Sequence, residues 1–184
     1  MKIGAIVQAR LSSKRLPNKV MKSINGLTVI ELLLKRLSKS KLINEVIVAT
    51  SENAENKKLI NHIKKIGYKV FVGSEDDTLD RYYQCAKKFN IQTIVRITGD
   101  CPLIDPEIVD KIISNLDDNH DISSNTHVCT FPDGLDAEVF NFKNLKKVWK
   151  EAKSQRDREH VTTYFYESGK FKIKNFLSSK NFSN

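Results

Sequence analysis

No apolar run in this sequence exceeds a few residues, far short of the roughly 18 that a membrane-spanning helix requires, so a spanning helix is excluded. Cysteine is scarce: Cys85, Cys101 and Cys129 form no CxxC pair. An odd, scattered set of that kind outlines neither a disulfide frame nor a zinc site and reads as reduced thiols. With 7 glycines and 4 prolines there is no collagen period and no low-complexity tract. Met1-Lys2-Ile3-Gly4 leads straight into a strand-like pattern without the apolar stretch of a signal peptide, which predicts a cytoplasmic location. Two familiar phosphate-binding signatures are missing as well, the Walker GxxxxGK[ST] loop and the dinucleotide GxGxxG turn.

What remains is ordinary globular material, 184 residues with 40% apolar and 29% charged side chains. That length predicts one domain spanning residues 1–184. Such a chain buries about 70% of the surface it exposes when unfolded, enough for a core without staples. The formal net charge of +9 is unevenly spread. Residues 1–142 carry 20 basic and 18 acidic side chains, whereas residues 143–184 carry 11 and 4. The excess is therefore a basic C-terminal segment, mostly lysine, and reads as a solvated face. No aromatic-rich basic sheet motif and no recognition-helix pattern accompanies it, so no nucleic-acid partner is expected.

Short apolar, β-branched runs alternate with amphipathic segments of helical period. Strands are expected at 3–8, 45–50, 68–72, 92–97, 121–124 and 135–140. Helices are expected at 28–38, 52–66, 78–89, 105–116, 144–153 and 158–167. Thr28-Val-Ile-Glu31 is a capping box, and Asp105-Pro106 pairs a cap with a proline at the first helical position. Strands separated by single helices imply βαβ units, hence an α/β fold of three layers around a mostly parallel sheet. Ligands of such sheets bind at the carboxyl ends of the strands. The loops after the first, third and fourth strands are therefore where chemistry is expected.

The first of these loops, Gln8-Ala9-Arg10-Leu11-Ser12-Ser13-Lys14-Arg15-Leu16-Pro17-Asn18-Lys19, holds four cationic side chains in ten positions. Lysine outnumbers arginine 24 to 7, yet two of the seven arginines fall here. Ala9 and Ser12 let a backbone approach a ligand, while Arg10, Arg15 and Lys19 can converge on phosphate oxygens. Arginine offers a bidentate fork and lysine a point charge, and a polyphosphate suits both.

Four stretches, QARLSSKRLPNKV, RITGDCPLIDPEIVD, FPDGLDAEVF and REHVT, occur in this order. Together they resemble the cytidylyltransferase-like proteins related to spore-coat polysaccharide biosynthesis protein F, relatives of the N-acylneuraminate and Kdo cytidylyltransferases. The resemblance spans about residues 2–177. It implies a nucleotide-diphospho-sugar transferase (Rossmann-like) fold. It also implies transfer of a nucleoside monophosphate from CTP to an acidic sugar or similar acceptor, with pyrophosphate released, in surface polysaccharide synthesis. Relatives are often homodimers.

Nucleotidyl transfer needs charge neutralisation, an oriented nucleophile and a divalent ion. The resemblance implies Arg10, Arg15 and Lys19 as the catalytic cations, and Gln8, Ala9, Ser12, Gly99 and Asp100 as further contacts of the nucleotide. Asp100 then ligates Mg²⁺, which proteins usually hold through one or two carboxylates plus substrate phosphates and water. Asp136 is the preferred second ligand. Ser74, Thr78, Asp80 and Arg81, after the third strand, resemble the region that contacts base and ribose. Acceptor binding falls to Asn125, Asp133, Asp136, Glu138, Arg158 and Glu159, with Asp136 and Glu138 two apart and so on one face of a strand. A separate catalytic base is unnecessary if the metal lowers the pKa of the acceptor hydroxyl. Two other readings stay open: a glycosyltransferase of related fold, disfavoured because no Asp-x-Asp follows the fourth strand, and a non-catalytic module binding nucleotides or polyanions.

Overall fold

Because side chains alternate across a strand, the β-branched runs feed two apolar layers at once. The computed structural model of the chain describes residues 1–12 and 16–183. Its strands are β1 (Ile3–Gln8), β2 (Ser23–Ile24), β3 (Leu27–Thr28), β4 (Glu45–Ser51), β5 (Lys69–Gly73), β6 (Thr93–Thr98), β7 (Ile122–Ser124), β8 (Glu138–Asn141) and β9 (Ile173–Asn175). The helices are α1 (Val29–Leu37), α2 (Lys57–Lys65), α3 (Thr78–Lys88), α4 (Pro106–Asn115), α5 (Phe142–Glu151), α6 (Gln155–His160) and α7 (Thr163–Glu167). No helix among the described residues is long and apolar enough to cross a membrane.

The main sheet has seven strands in the order β5-β4-β1-β6-β8-β7-β9, and β2 and β3 form a separate antiparallel hairpin. Every pairing in the main sheet is parallel except the two made by β8, which runs against β6 and β7. Ala5, Val7, Val48, Val95, Ile97 and Val139 face one way and pack on α1, α2 and α4. Ile6, Ile47, Ala49, Ile94, Ile122 and Phe140 face the other way and pack on α3, α5 and α7. The result is the three-layer, mostly parallel α/β sandwich that the alternating pattern predicts.

The caps are where the sequence places them. Thr28 Oγ1 accepts from the Glu31 amide at 3.2 Å, and the Asp105 carboxylate accepts from Glu107 and Ile108 at 2.8 and 3.1 Å. The hairpin strands β2 and β3 and the edge strand β9 are not among the expected elements, and three expected elements take a different form. The helix over 158–167 is broken into α6 and α7 at Val161, whose φ of 64° no continuing helix tolerates. The break turns Thr162 inward, where its hydroxyl donates to Glu138 at 3.2 Å. The strand over 135–140 begins only at Glu138, because Leu135 and Ala137 are bonded to the Asn125 side chain instead of to a neighbouring strand. The helix over 52–66 opens with a 3-10 turn at Ala54–Asn56 before α2 proper.

Candidate active site

One reversed strand decides where the acidic residues meet. The carboxyl ends of β1, β4, β5, β6 and β7 all open on the same edge of the sheet. Since β8 runs the other way, its lead-in arrives at that edge. Residues 133–136 thus stand beside the loop that follows β6. Between them lies a cleft of about 450 Å³ lined by Thr98, Asp100, Cys101, Pro102, Leu103, Asp133, Gly134 and Asp136.

The floor is set by backbone proximity. The Gly99 amide donates to the Gln8 carbonyl at 2.8 Å, and a Cβ on residue 99 would lie 2.8 Å from both that oxygen and the Ala9 Cβ. Only glycine fits there, so Asp100 is locked against the end of β1. Opposite it, Lys19 starts a 3-10 turn whose next residue, Val20, is buried in the core. The Lys19 ammonium forms an ion pair with the Asp100 carboxylate, and both side chains are partly exposed. Burial raises the Asp100 carboxyl, but Lys19 outweighs it and holds the group below its ordinary range. Asp136 has the opposite balance. Burial first, then Asp133, Glu138 and Asp100 as like charges, raise its carboxyl despite Arg96. Cys101 lines the same cleft with its Sγ 3.1 Å from Thr98 Oγ1, and burial pushes the thiol up to about 11, so no thiolate is available at neutral pH.

A second cluster gathers at the ends of β1 and β5. Arg10 Nη1 and Ser12 Oγ both donate to Glu75 Oε1 at 2.9 Å. Burial raises the Glu75 carboxyl, but hydrogen bonds from Ser51 and Ser12 and the charge of Arg10 bring it below its ordinary range. Arg81 is 3% exposed and donates to the Ser74 carbonyl and, at 3.3 Å, to Thr78 Oγ1. It braces the turn after β5 from below. Ser74 Oγ accepts from the Asp77 amide at 3.1 Å in the same turn.

The structure therefore brings together Lys19, Gly99, Asp100, Asp133 and Asp136, with Gln8 and Ala9 against them. Gln8 Oε1 is buried without a partner among the described residues. Arg15 lies outside the described residues. Other residues expected at the site are held in packing networks. Asp80 accepts from Trp149 Nε1 at 2.8 Å and Gln84 Nε2 at 3.0 Å. Arg158 donates to Asp77 Oδ2 from Nε at 2.9 Å and to the Trp149 carbonyl at 2.8 Å. Glu138 is buried, paired in register with Arg96 across β6–β8, and accepts from Tyr166 at 2.5 Å and Thr162 at 3.2 Å. Asn125 is buried behind the cleft wall, and Glu159 is exposed on α6. Sequence reasoning missed Glu75, Arg96 and Tyr166. Arg96 was within reach of the same argument that singled out Arg10, since arginine is rare in this chain. The other two depend on tertiary pairing alone.

The donor set suits a hard divalent cation. Asp100 and Asp136 offer carboxylate oxygens on one cleft, and the Lys19 ammonium already occupies Asp100 as a stand-in cation. No cluster of three or more candidate ligands occurs among the described residues, so substrate phosphates and water would complete the shell.

The three-layer sandwich, with a lysine set against aspartates at the carboxyl edge of its sheet, has the nucleotidyltransferase fold of its structural relatives. The chain belongs to the cytidylyltransferase family, whose model matches residues 4–182. It is 44% identical over 169 residues to protein MJ1063 of Methanocaldococcus jannaschii, covering 91% of this chain and 68% of that one. Spore coat polysaccharide biosynthesis protein SpsF of Bacillus subtilis is 33% identical over 165 residues, covering 86% and 68%. The solved cytidylyltransferase of Leptospira borgpetersenii superposes with a TM-score of 0.95 at 35% identity, covering all of this chain and 79% of that one.

Proposed function

We propose that the protein transfers the cytidylyl group of CTP to a hydroxyl of an acidic sugar or sugar-like acceptor, releasing pyrophosphate, with Mg²⁺ as cofactor. The acceptor oxygen attacks the α-phosphorus as the bond to the bridging oxygen of the leaving pyrophosphate breaks. Lys19, Arg10 and Arg15 bind the triphosphate and neutralise charge that builds on the leaving group. Arg10 reaches it by exchanging Glu75 for phosphate. Gln8, Ala9, Ser12 and Gly99 line the path of the phosphates, and Ser74, Thr78 and Arg81 shape the turn that receives the nucleoside. Asp100 and Asp136 would hold the magnesium, which when bound supplies charge neutralisation and acidifies the acceptor hydroxyl. Asp133 faces the acceptor from the same wall. The relationship to SpsF supports a role in supplying activated sugars for surface polysaccharide.

One observation carries this reading: Lys19 and Asp100 are in contact on a cleft whose other wall bears Asp136. A polyphosphate and its counter-ion need that juxtaposition of charges. The test is pyrophosphate release from CTP with Mg²⁺ across a panel of 2-keto sugar acids and related acceptors. Asp100→Asn should reduce turnover by about 10²-fold or more, the usual cost of removing a preorganised electrostatic group. Purified protein that releases no pyrophosphate and shows no thermal stabilisation by CTP and Mg²⁺ would refute the assignment.

A further inference from the structure

Asn125 follows β7 and is 1% exposed. Its amide is spent on the backbone on either side of Asp136. Nδ2 donates to the Leu135 carbonyl at 2.9 Å, and Oδ1 accepts from the Ala137 amide at 2.9 Å. Its own amide points at the Ala137 carbonyl, 3.5 Å away. One side chain thus brackets one acidic residue, and it replaces the strand pairing that Leu135 and Ala137 would otherwise make.

The segment has reason to need a bracket. Asp133, Asp136 and Asp100 crowd one cleft, and Asp136 has no ion-pair partner among the described residues. Arg96, whose charge acts on it, is committed to Glu138. Repulsion alone would swing residues 133–137 away from Asp100. Two anchors oppose that motion: Asn125 before Glu138, and the hydrogen bonds from Arg96, Tyr166, Thr162 and Thr126 that hold Glu138 itself.

We propose that Asn125 is the positioning residue for Asp136, holding its carboxylate on the cleft wall where a divalent cation bound with the nucleotide can reach it. This rests on the cytidylyltransferase reading above and assigns Asn125 to the metal side of the reaction, not to the acceptor. Residues that orient a metal ligand typically alter metal affinity 10–100-fold when replaced.

The test uses Mn²⁺ as probe, with its affinity for the protein–CTP complex read from water-proton relaxation and the acceptor KM from pyrophosphate release. Asn125→Ser should weaken Mn²⁺ binding about tenfold and leave the acceptor KM within about twofold. In an Asp136→Asn background the same substitution should have little further effect on Mn²⁺, because the route through Asp136 is gone. Should Asn125→Ser not fold, Asn125→Asp, which keeps the acceptor for the Ala137 amide, carries the same comparison. An unmoved Mn²⁺ affinity with a raised acceptor KM overturns the proposal, as does a full effect in the Asp136→Asn background. Wild-type protein that neither binds nor turns over CTP defeats the nucleotidyl-transfer reading, and this role with it. A working wild type whose variants do not respond defeats this role alone.

Discussion

Asp100 and Asp136 share a cleft and a chemistry, yet their surroundings drive their carboxyl groups in opposite directions. Burial opposes the charge of both. Lys19 rescues Asp100, whereas Asp136 meets three other carboxylates and an arginine already committed to Glu138. A carboxyl whose folded pKa lies above its unfolded value destabilises the folded state once pH exceeds the folded value, and costs nothing below the unfolded one. Asp136→Asn should therefore raise Tm at pH 7. That gain should fade as pH falls through the raised carboxyl range and vanish below the ordinary value of 3.8. Thermal denaturation of both proteins between pH 3.5 and 7 checks the sign. Under the proposed function the same substitution lowers activity, so stability and turnover should part company at this residue. Asp100→Asn should behave otherwise: it discards the partner of Lys19 and gives no such rise.

Elements explain what the residue list alone did not. The strand runs, their alternation with helices and the capped starts of α1 and α4 were legible because each is local chemistry: β-branched runs, period, Ser/Thr/Asp caps. The direction of β8 was not, since hydrophobic alternation reads the same both ways along a strand. Yet that reversal is what carries Asp133 and Asp136 to the edge where Asp100 already stands. Asp100 and Lys19 were visible because their loops directly follow strands. Glu138 looked like a partner for Asp136 on one strand face. Its strand begins at Glu138 itself, and the register sets it against Arg96 and inside the core. Arg158 looked like an anion receptor, and only tertiary packing shows it clasping the N-terminus of α3 through Asp77. Trp149 of α5 adds a second tie to that helix through Asp80, stacked on Tyr83 with centroids 4.3 Å apart. These ties hold the start of α3, from which Arg81 braces the turn after β5 that carries Ser74. Arg158→Ala should cost about 1–3 kcal/mol, since it strands a partly buried carboxylate. It should also raise the KM for CTP while leaving that for the acceptor near its wild-type value. Denaturant unfolding and paired KM measurements decide it; a rise in acceptor KM alone would restore Arg158 to the acceptor.

At the scale of the molecule, the formal charge of +9 invites a polyanion partner. The fold pairs part of that charge with neighbouring carboxylates. Two of the C-terminal lysines are paired on the surface, Lys170 with Glu151 and Tyr164, and Lys174 with Asp117. Lys147 lies over the Phe171 ring, 4.7 Å from its centroid. The two ion pairs reduce the free field locally, and exposed pairs of this kind are worth about 0–1 kcal/mol each. Under the proposed function the chemistry sits elsewhere, on the carboxyl edge of the sheet, where Lys19 rests on Asp100 and Arg10 on Glu75, carboxylates that a triphosphate can displace. Replacing Lys170, Lys172 and Lys174 together with methionine should leave turnover of CTP within about twofold and stability within about 1–2 kcal/mol. Replacing Lys19 alone with methionine should raise the KM for CTP about tenfold or more, the loss expected when one charge-assisted bond to phosphate is removed. Steady-state kinetics at two salt concentrations separates the two models. A polyanion surface would make the triple variant the damaged one and its loss steeply salt-dependent, whereas a phosphate site at the strand ends places the whole penalty on Lys19.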